Sequence, residues 1–296
     1  MIDPRKYFED SKCMYFADFS KYSGCTDLKV NIPAYEAILE TSILIYKSQD
    51  SIVNSCERFH QKLCNAVFEK LPFPVVRFAD GEYSFYNNSL KCNGLYKQVE
   101  NHFKLFIYKQ LHKKYLIDLS KIGYFAPLIN ENYILKKYYF GNPLIKFLKF
   151  LIKNNIILSD KNYFPFYFLY KYLFSELFSN FLSNKKVLLI NSSFNEDKAY
   201  SYFNNAGAKN INLKYLQIPE EYASNQMDNI LGKIRCLRGE NLDIAFIGAG
   251  LCALPICVEV SKTLSIPSID GGHFLNIINS KVESSNGARL FTNRDF

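Results

Sequence analysis

From residue 185 onward the chain alternates short apolar runs with amphipathic ones, and this alternation constrains the fold more than any other feature. KVLLINSS reads as a strand and NEDKAYSYFNNAG as a helix with a glycine stop. NINLKYLQIP is a strand, EYASNQMDNILGKIRCLRG a helix, LDIAFIGAG a strand, ALPICVEVSKTLS a helix and IPSIDGGH a final strand. Alternating elements of this length imply parallel strands with helices between them. The expected fold class is α/β, a Rossmann-like, mostly parallel sheet flanked by helices.

Upstream the pattern is less regular. Over residues 31–70, Leu39, Ile43, Ile52, Cys56, Phe59, Leu63 and Val67 recur near helical spacing, and Pro72 and Pro74 end the run. PVVRFADGEYSFY follows, with Val75, Val76 and Phe78 as a short buried strand. Residues 97–115 read as a Lys-rich amphipathic helix with Phe103, Phe106, Ile107 and Leu111 on one face. Residues 133–182 hold an aromatic, Lys-rich stretch broken at Gly141, Pro143 and Pro165. It reads as core-facing helices wrapped on the sheet, or as an aromatic and basic surface resting on a membrane. The chain therefore divides into a mostly helical N-terminal extension over 1–70 and an α/β domain over 71–296 that carries a Lys- and aromatic-rich helical insertion at about 97–182.

Composition narrows the function. With 296 residues, 48% of them hydrophobic and 22% charged, the chain can bury a sizeable core and is not a disordered segment. Its net charge of +8 is concentrated in residues 97–186, which hold fifteen Lys, no Arg and five acids. Nucleic-acid readers rely on Arg for bidentate contacts, so a Lys-only surface argues against DNA or RNA. What remains is solvated helix faces, or an anionic partner such as a phospholipid surface or a diphosphate-linked acceptor. Trp is absent, so the core and any sugar or base platform fall to 22 Tyr and 26 Phe. No apolar run approaches the roughly 20 residues of a spanning helix. MIDPRKYFED shows no secretory signal, so a cytoplasmic location is expected, with peripheral contact at the inner membrane face where a basic surface meets lipid. The eight Cys form no CxxC pair and the four His show no ligand spacing, which reads as reduced thiols without a zinc site.

Four polar clusters could carry chemistry. In Arg77-Phe78-Ala79-Asp80-Gly81-Glu82, Asp80 and Glu82 are two apart on what reads as extended backbone, so both carboxylates can point to one side. Paired hard oxygens at the end of a buried strand suit Mg²⁺ or Mn²⁺, and Arg77 could pair with a carboxylate or a phosphate. The same residues also fit a polar turn with a surface salt bridge. Gly248-Ala249-Gly250-Leu251-Cys252-Ala253 lies between a strand and a helix, with Asp270 20 residues beyond Gly250. That matches a dinucleotide fingerprint, but too little chain follows for a full dinucleotide domain. A mononucleotide or diphosphate contact, or a tight packing turn, fits better. In Ile269-Asp270-Gly271-Gly272-His273 a carboxylate and an imidazole leave a strand end together, where open α/β sheets bind ligands. Ser192-Ser193-Phe194-Asn195-Glu196 opens onto the same edge, as ligand contacts or as a helix cap.

These pieces in this order resemble the GT-D-type glycosyltransferases. The family's R-[FY]-G-D-G-E motif stands here as Arg77 to Glu82, with Ala79 in place of the usual Gly. Its G-P-T-A motif aligns with Gly250-Leu251-Cys252-Ala253, with Cys252 in place of Thr, and its closing I-D-x-G-H with Ile269-Asp270-Gly271-Gly272-His273. Where the family often has Asn-Ala, Tyr222-Ala223 stands. The resemblance implies a metal-dependent transferase taking a sugar from a nucleoside diphosphate sugar, a UDP-sugar foremost. The acceptor would be a bacterial surface glycan, glycoprotein or lipid-linked molecule. It implies Asp80 and Glu82 as ligands to Mn²⁺ or Mg²⁺. Arg77, Phe78, Gly81, Ser193, Asn195, Glu196, Gly248, Gly250, Cys252 and Gly272 are the expected substrate contacts. Asp270, Glu196 and His273, in falling order, are candidates to take the acceptor proton. Two other readings stay open: an NAD(P)-binding oxidoreductase built on the glycine turn, and a non-catalytic scaffold docking on a membrane or partner.

Overall fold

The computed structural model describes residues 49–90, 97–127, 141–156, 158, 161–164 and 166–279. Its first half holds α1 (Gln49–Phe68), β1 (Phe73–Phe78), α2 (Asp80–Tyr86), α3 (His102–Ile122), β2 (Tyr124–Pro127), α4 (Gly141–Lys153), α5 (Phe166–Leu173) and α6 (Glu176–Phe181). The strand–helix alternation then delivers β3 (Lys186–Asn191), α7 (Glu196–Asn205), β4 (Asn212–Gln217), α8 (Met227–Arg235), β5 (Ile244–Gly248), α9 (Ala253–Leu264), β6 (Pro267–Asp270) and α10 (His273–Ile278).

The six strands form one sheet in the order β2-β1-β6-β5-β3-β4, and every pair is parallel. The expected α/β class is what the chain folds into. Strand steps β1→β2, β4→β5 and β5→β6 run one way across the sheet and β3→β4 runs the other. Right-handed crossovers then put α3, α8 and α9 on one face and α7 on the opposite face. The packing agrees: α9 touches α3, α8, β1 and β6, whereas α7 touches α10, and α10 rests on β5. The direction of winding reverses between β3 and β5, so the topological switch point lies at their carboxyl ends, where Asn191 is in register with Gly248.

The core is built largely from Phe and Tyr. Phe59 of α1 stacks on Phe164 at 4.1 Å and meets Tyr172 edge-on at 5.3 Å. Phe78 lies between Phe125 and Phe147. Phe147, Phe164, Phe166, Tyr172, Phe174 and Phe178 are all buried, so the described aromatic residues of the 133–182 stretch face inward. Residues 133–140, 157, 159, 160 and 165 of that stretch lie outside the described residues. Among the described residues, no helix is long and apolar enough to cross a membrane.

The helices and strands before β3 differ in places from the expectation. The described end of the 1–70 extension is α1, which buries Phe59, Leu63 and Ala66 in the shared core. The helix expected over 97–115 runs from His102 to Ile122, with Asn101 capping it by accepting from the Lys104 N–H at 2.9 Å. It is the crossover to β2, an edge strand that the sequence reading did not identify, so this part of the supposed insertion belongs to the sheet. The buried face of α3 is Leu105, Tyr108, His112, Tyr115, Leu116 and Leu119. Of the face expected to be apolar, Leu111 packs partly against the core, whereas Phe103, Phe106 and Ile107 are turned out, 74%, 62% and 52% exposed.

Candidate active site

Parallel strands share one carboxyl edge, and β1, β6, β5 and β3 bring their polar ends there side by side. At β1 and β6 the Arg77 guanidinium meets Asp270. Arg77 Nη2 donates to Asp270 Oδ1 at 2.9 Å and Nε to the Asp270 carbonyl at 2.8 Å, while the Arg77 backbone N–H reaches Oδ2 at 3.3 Å. Their side chains are 11% and 7% exposed, so this is a buried pair whose strength depends on its hydrogen bonds. The guanidinium also lies over the Phe166 ring at 5.5 Å. A Cβ on Gly272 would come 1.6 Å from Arg77 Nη2, and Gly272 has φ +45, so glycine is needed there both for space and for backbone. Asp270 thus has both carboxylate oxygens engaged by Arg77.

The motif after β1 starts a helix. Ala79 has φ −137 and ψ −154, ordinary extended backbone, so its methyl group is accommodated without strain. Glu82 Oε2 accepts from the Ala79 N–H at 2.9 Å, and the Tyr83 N–H closes the first turn on the Ala79 carbonyl. Asp80 and Glu82 are therefore the first and third residues of α2. Residues two apart on a helix do not face each other, so the same-side argument drawn from extended backbone fails. Burial pushes the Glu82 carboxyl up to about 7. The Ala79 N–H opposes this, the Asp270 charge adds to it, and Arg77 opposes it. Phe78 is fully buried between two rings and is a core residue, not a substrate contact. Nothing lies near a Cβ built on Gly81, so the turn places no demand on that glycine.

Past β5 the chain turns through a single 3₁₀ turn, Gly250–Cys252, into α9. Gly250 has φ +52, and a Cβ there would meet the buried Gln98 side chain at 2.8 Å. Cys252 is fully buried and takes a hydrogen bond from the Tyr108 hydroxyl at 3.1 Å. Burial pushes its thiol up to about 12. The turn rotates this side chain into the core, which removes Cys252 from the expected substrate contacts.

The switch point itself holds the most telling groups. Asn191 is 5% exposed at the end of β3; its Oδ1 accepts from the Ser192 N–H at 2.8 Å. Its Nδ2 and the buried Ser193 hydroxyl have no hydrogen-bond partner. A Cβ on Gly248 would press on Asn191 Oδ1 at 3.2 Å and Leu275 Cδ1 at 2.9 Å, so glycine is what leaves room beside the amide. The turn is clamped from α10: Asn279 Oδ1 accepts from the Asn195 N–H at 3.0 Å, and its Nδ2 donates to the Ser193 carbonyl at 3.3 Å. The Asn195 side chain caps α7 by accepting from the Lys198 N–H at 3.0 Å, so it serves the helix. Glu196 is exposed in the first turn of α7, and Phe194 stacks on Tyr215 at 4.7 Å. His273 opens α10 at the same edge. Asn191, Gln98 and Asn279 escaped the sequence reading. A lone amide closing an apolar run, as in VLLIN, is the one signal that could have marked Asn191.

Among the described residues, no group of three or more His, Cys, Asp and Glu side chains is placed to hold a metal ion. One Glu82 oxygen, Oε2, is spent on the helix cap, and burial favours the neutral form of the carboxyl.

A parallel sheet whose winding reverses at one carboxyl edge has the open α/β architecture in which ligands bind at that edge. Residues 143–278 match the family model of the GT-D fold-like domain, and in this part the chain is similar to that domain. The match covers β3 through β6 and ends with α10; the Arg77 to Glu82 motif precedes it. No curated protein and no solved structure matches the chain.

Proposed function

We propose that this protein is a glycosyltransferase that takes a sugar from a nucleoside diphosphate sugar, a UDP-sugar foremost, and passes it to a hydroxyl of a glycan, glycoprotein or lipid-linked acceptor. The observation that carries this reading is the pair of orphan donors, Asn191 Nδ2 and Ser193 Oγ, at the switch point of a GT-D-like domain. Leaving a buried donor unpaired costs about 1–3 kcal/mol, and an incoming ligand oxygen removes that cost. A diphosphate brings several such oxygens.

In the transfer, the bond from the sugar C1 to the diphosphate oxygen breaks and its electron pair leaves with the diphosphate. The acceptor oxygen bonds to C1 and loses its proton. The N-terminus of α9, entered through the 3₁₀ turn Gly250–Cys252, lies just past the carboxyl end of β5, and its dipole favours the charge on the leaving group. Glu82 is the acid suited to take the proton, since burial holds it near neutral pH and Oε2 alone is tied to the cap. Arg77 fixes Asp270 beside it, so this pair positions and does not itself transfer a proton.

Release of nucleoside diphosphate from a panel of sugar donors, followed chromatographically, tests this. Release from one donor class is expected, with kcat/KM rising as pH rises through about 7. In Glu82→Gln the rate falls by about 10²–10⁴ and the limb disappears. Absence of release from every donor, together with saturable NAD(H) binding, would overturn the reading in favour of an oxidoreductase.

A further inference from the structure

The exposed face of α3 is an uncovered apolar patch. Phe103, Phe106 and Ile107 are 74%, 62% and 52% exposed, and spacings of three and four place them together on the helix surface. At 100° per residue, positions 103, 106, 107, 110 and 114 fall within a sector of about 100°. Below the apolar side chains the same outward face continues with Lys113, Lys114 and Lys121, all exposed. Its acids are occupied: Asp118 pairs with Lys262 at 3.0 Å and Glu100 with Lys104. Beside it, Lys109 donates to Asn88 and Lys146 to Asn87, which carries the basic surface onto α2 and α4.

We infer that this face docks on an anionic lipid bilayer, with Phe103, Phe106 and Ile107 entering the headgroup–acyl boundary and Lys113, Lys114 and Lys121 lying along the phosphates. Apolar side chains at one end of a helix face and cations along the rest fit an interfacial helix face better than a protein groove, which would leave the lysines uncompensated. The start of α3 also lies at the carboxyl edge of the sheet. There Lys97 O accepts from the Tyr222 N–H at 2.6 Å, and Gln98 approaches Gly250. A bilayer on this face therefore borders the candidate site, where a lipid-linked acceptor would arrive. The docking inference does not depend on the transfer reading.

Cosedimentation of the full chain with phosphatidylcholine vesicles containing about one-third phosphatidylglycerol tests it, with pure phosphatidylcholine as control and thermal unfolding run on each variant. Binding to the anionic vesicles is expected, weakening as salt rises. The Phe103→Ser, Phe106→Ser double variant should lower the partition coefficient at least tenfold. Lys113→Ser with Lys114→Ser should lower it about fivefold per lysine. All these positions are exposed, so unfolding temperatures should stay unchanged. Either of two vesicle results would overturn the inference: no binding to anionic vesicles, or binding that the double variants leave intact. A dimer in light scattering that Phe103→Ser, Phe106→Ser converts to a monomer would likewise overturn it, because a second copy would then cover the patch.

Discussion

Glu82 shows how a single side chain can serve local structure and chemistry at once. Its Oε2 satisfies the Ala79 N–H at the start of α2, while burial raises its carboxyl from 4.5 to about 7. A carboxyl raised in the folded state stabilises most below the unfolded value, and that contribution is lost as pH rises through the folded one. At about 1.4 kcal/mol per unit, the contribution lost is on the order of 3 kcal/mol. Glu82→Gln keeps the cap acceptor and carries no charge. Its unfolding temperature minus that of the native chain should grow between pH 4.5 and about 7 and level off above. Buried His60 and His112, lowered to about 4 and about 3, act in the opposite sense, weakening the fold as pH falls below 6.5. They are common to both chains, so the difference isolates Glu82. A constant offset across the range would contradict the assignment.

At the scale of elements, α10 matters for what it holds. Its C-terminal Asn279 ties down the turn that carries Asn191 and Ser193 toward the edge. Asn279→Ala removes those bonds, and net hydrogen-bond values put the loss of stability at about 1–2 kcal/mol. Nucleotide affinity, measured by calorimetry, should fall at least tenfold because the orphan donors are no longer positioned. Equal affinity in the two chains would show that the clamp is structural only. The elements also show where the sequence was legible. Strands β3, β4, β5 and β6 stood out as short apolar runs between helices, and β1 as PVVRF before a polar turn. Strand β2 did not, because Tyr124–Pro127 is four residues at the sheet edge and ends in proline. Helix α3 carries two apolar stripes, and periodicity alone cannot choose between them. Packing on α9 chose the longer one, with Leu105, Tyr108, His112, Tyr115, Leu116 and Leu119, and left Phe103, Phe106 and Ile107 outside.

For the whole molecule, the sheet order creates relations that no local pattern contains. Arg77 and Asp270 were each visible as polar residues at strand ends. Their pairing, across 193 residues, exists because β6 inserts beside β1. Cys252 was expected near phosphates and lies in the core because the 3₁₀ turn rotates it toward Tyr108. The switch point arises where the winding reverses between β3 and β5, and Asn191 gains its significance only there. The central claim is that the orphan donors at this point await a diphosphate. Calorimetric titration of UDP into the native chain and Ser193→Ala, with thermal unfolding of both, tests it most directly. Removing an unpartnered buried hydroxyl should leave the unfolding temperature unchanged or higher, while a lost hydrogen bond to a charged oxygen weakens UDP binding about tenfold to a hundredfold. A Ser193→Ala chain that unfolds earlier yet binds UDP as the native chain does would contradict the account.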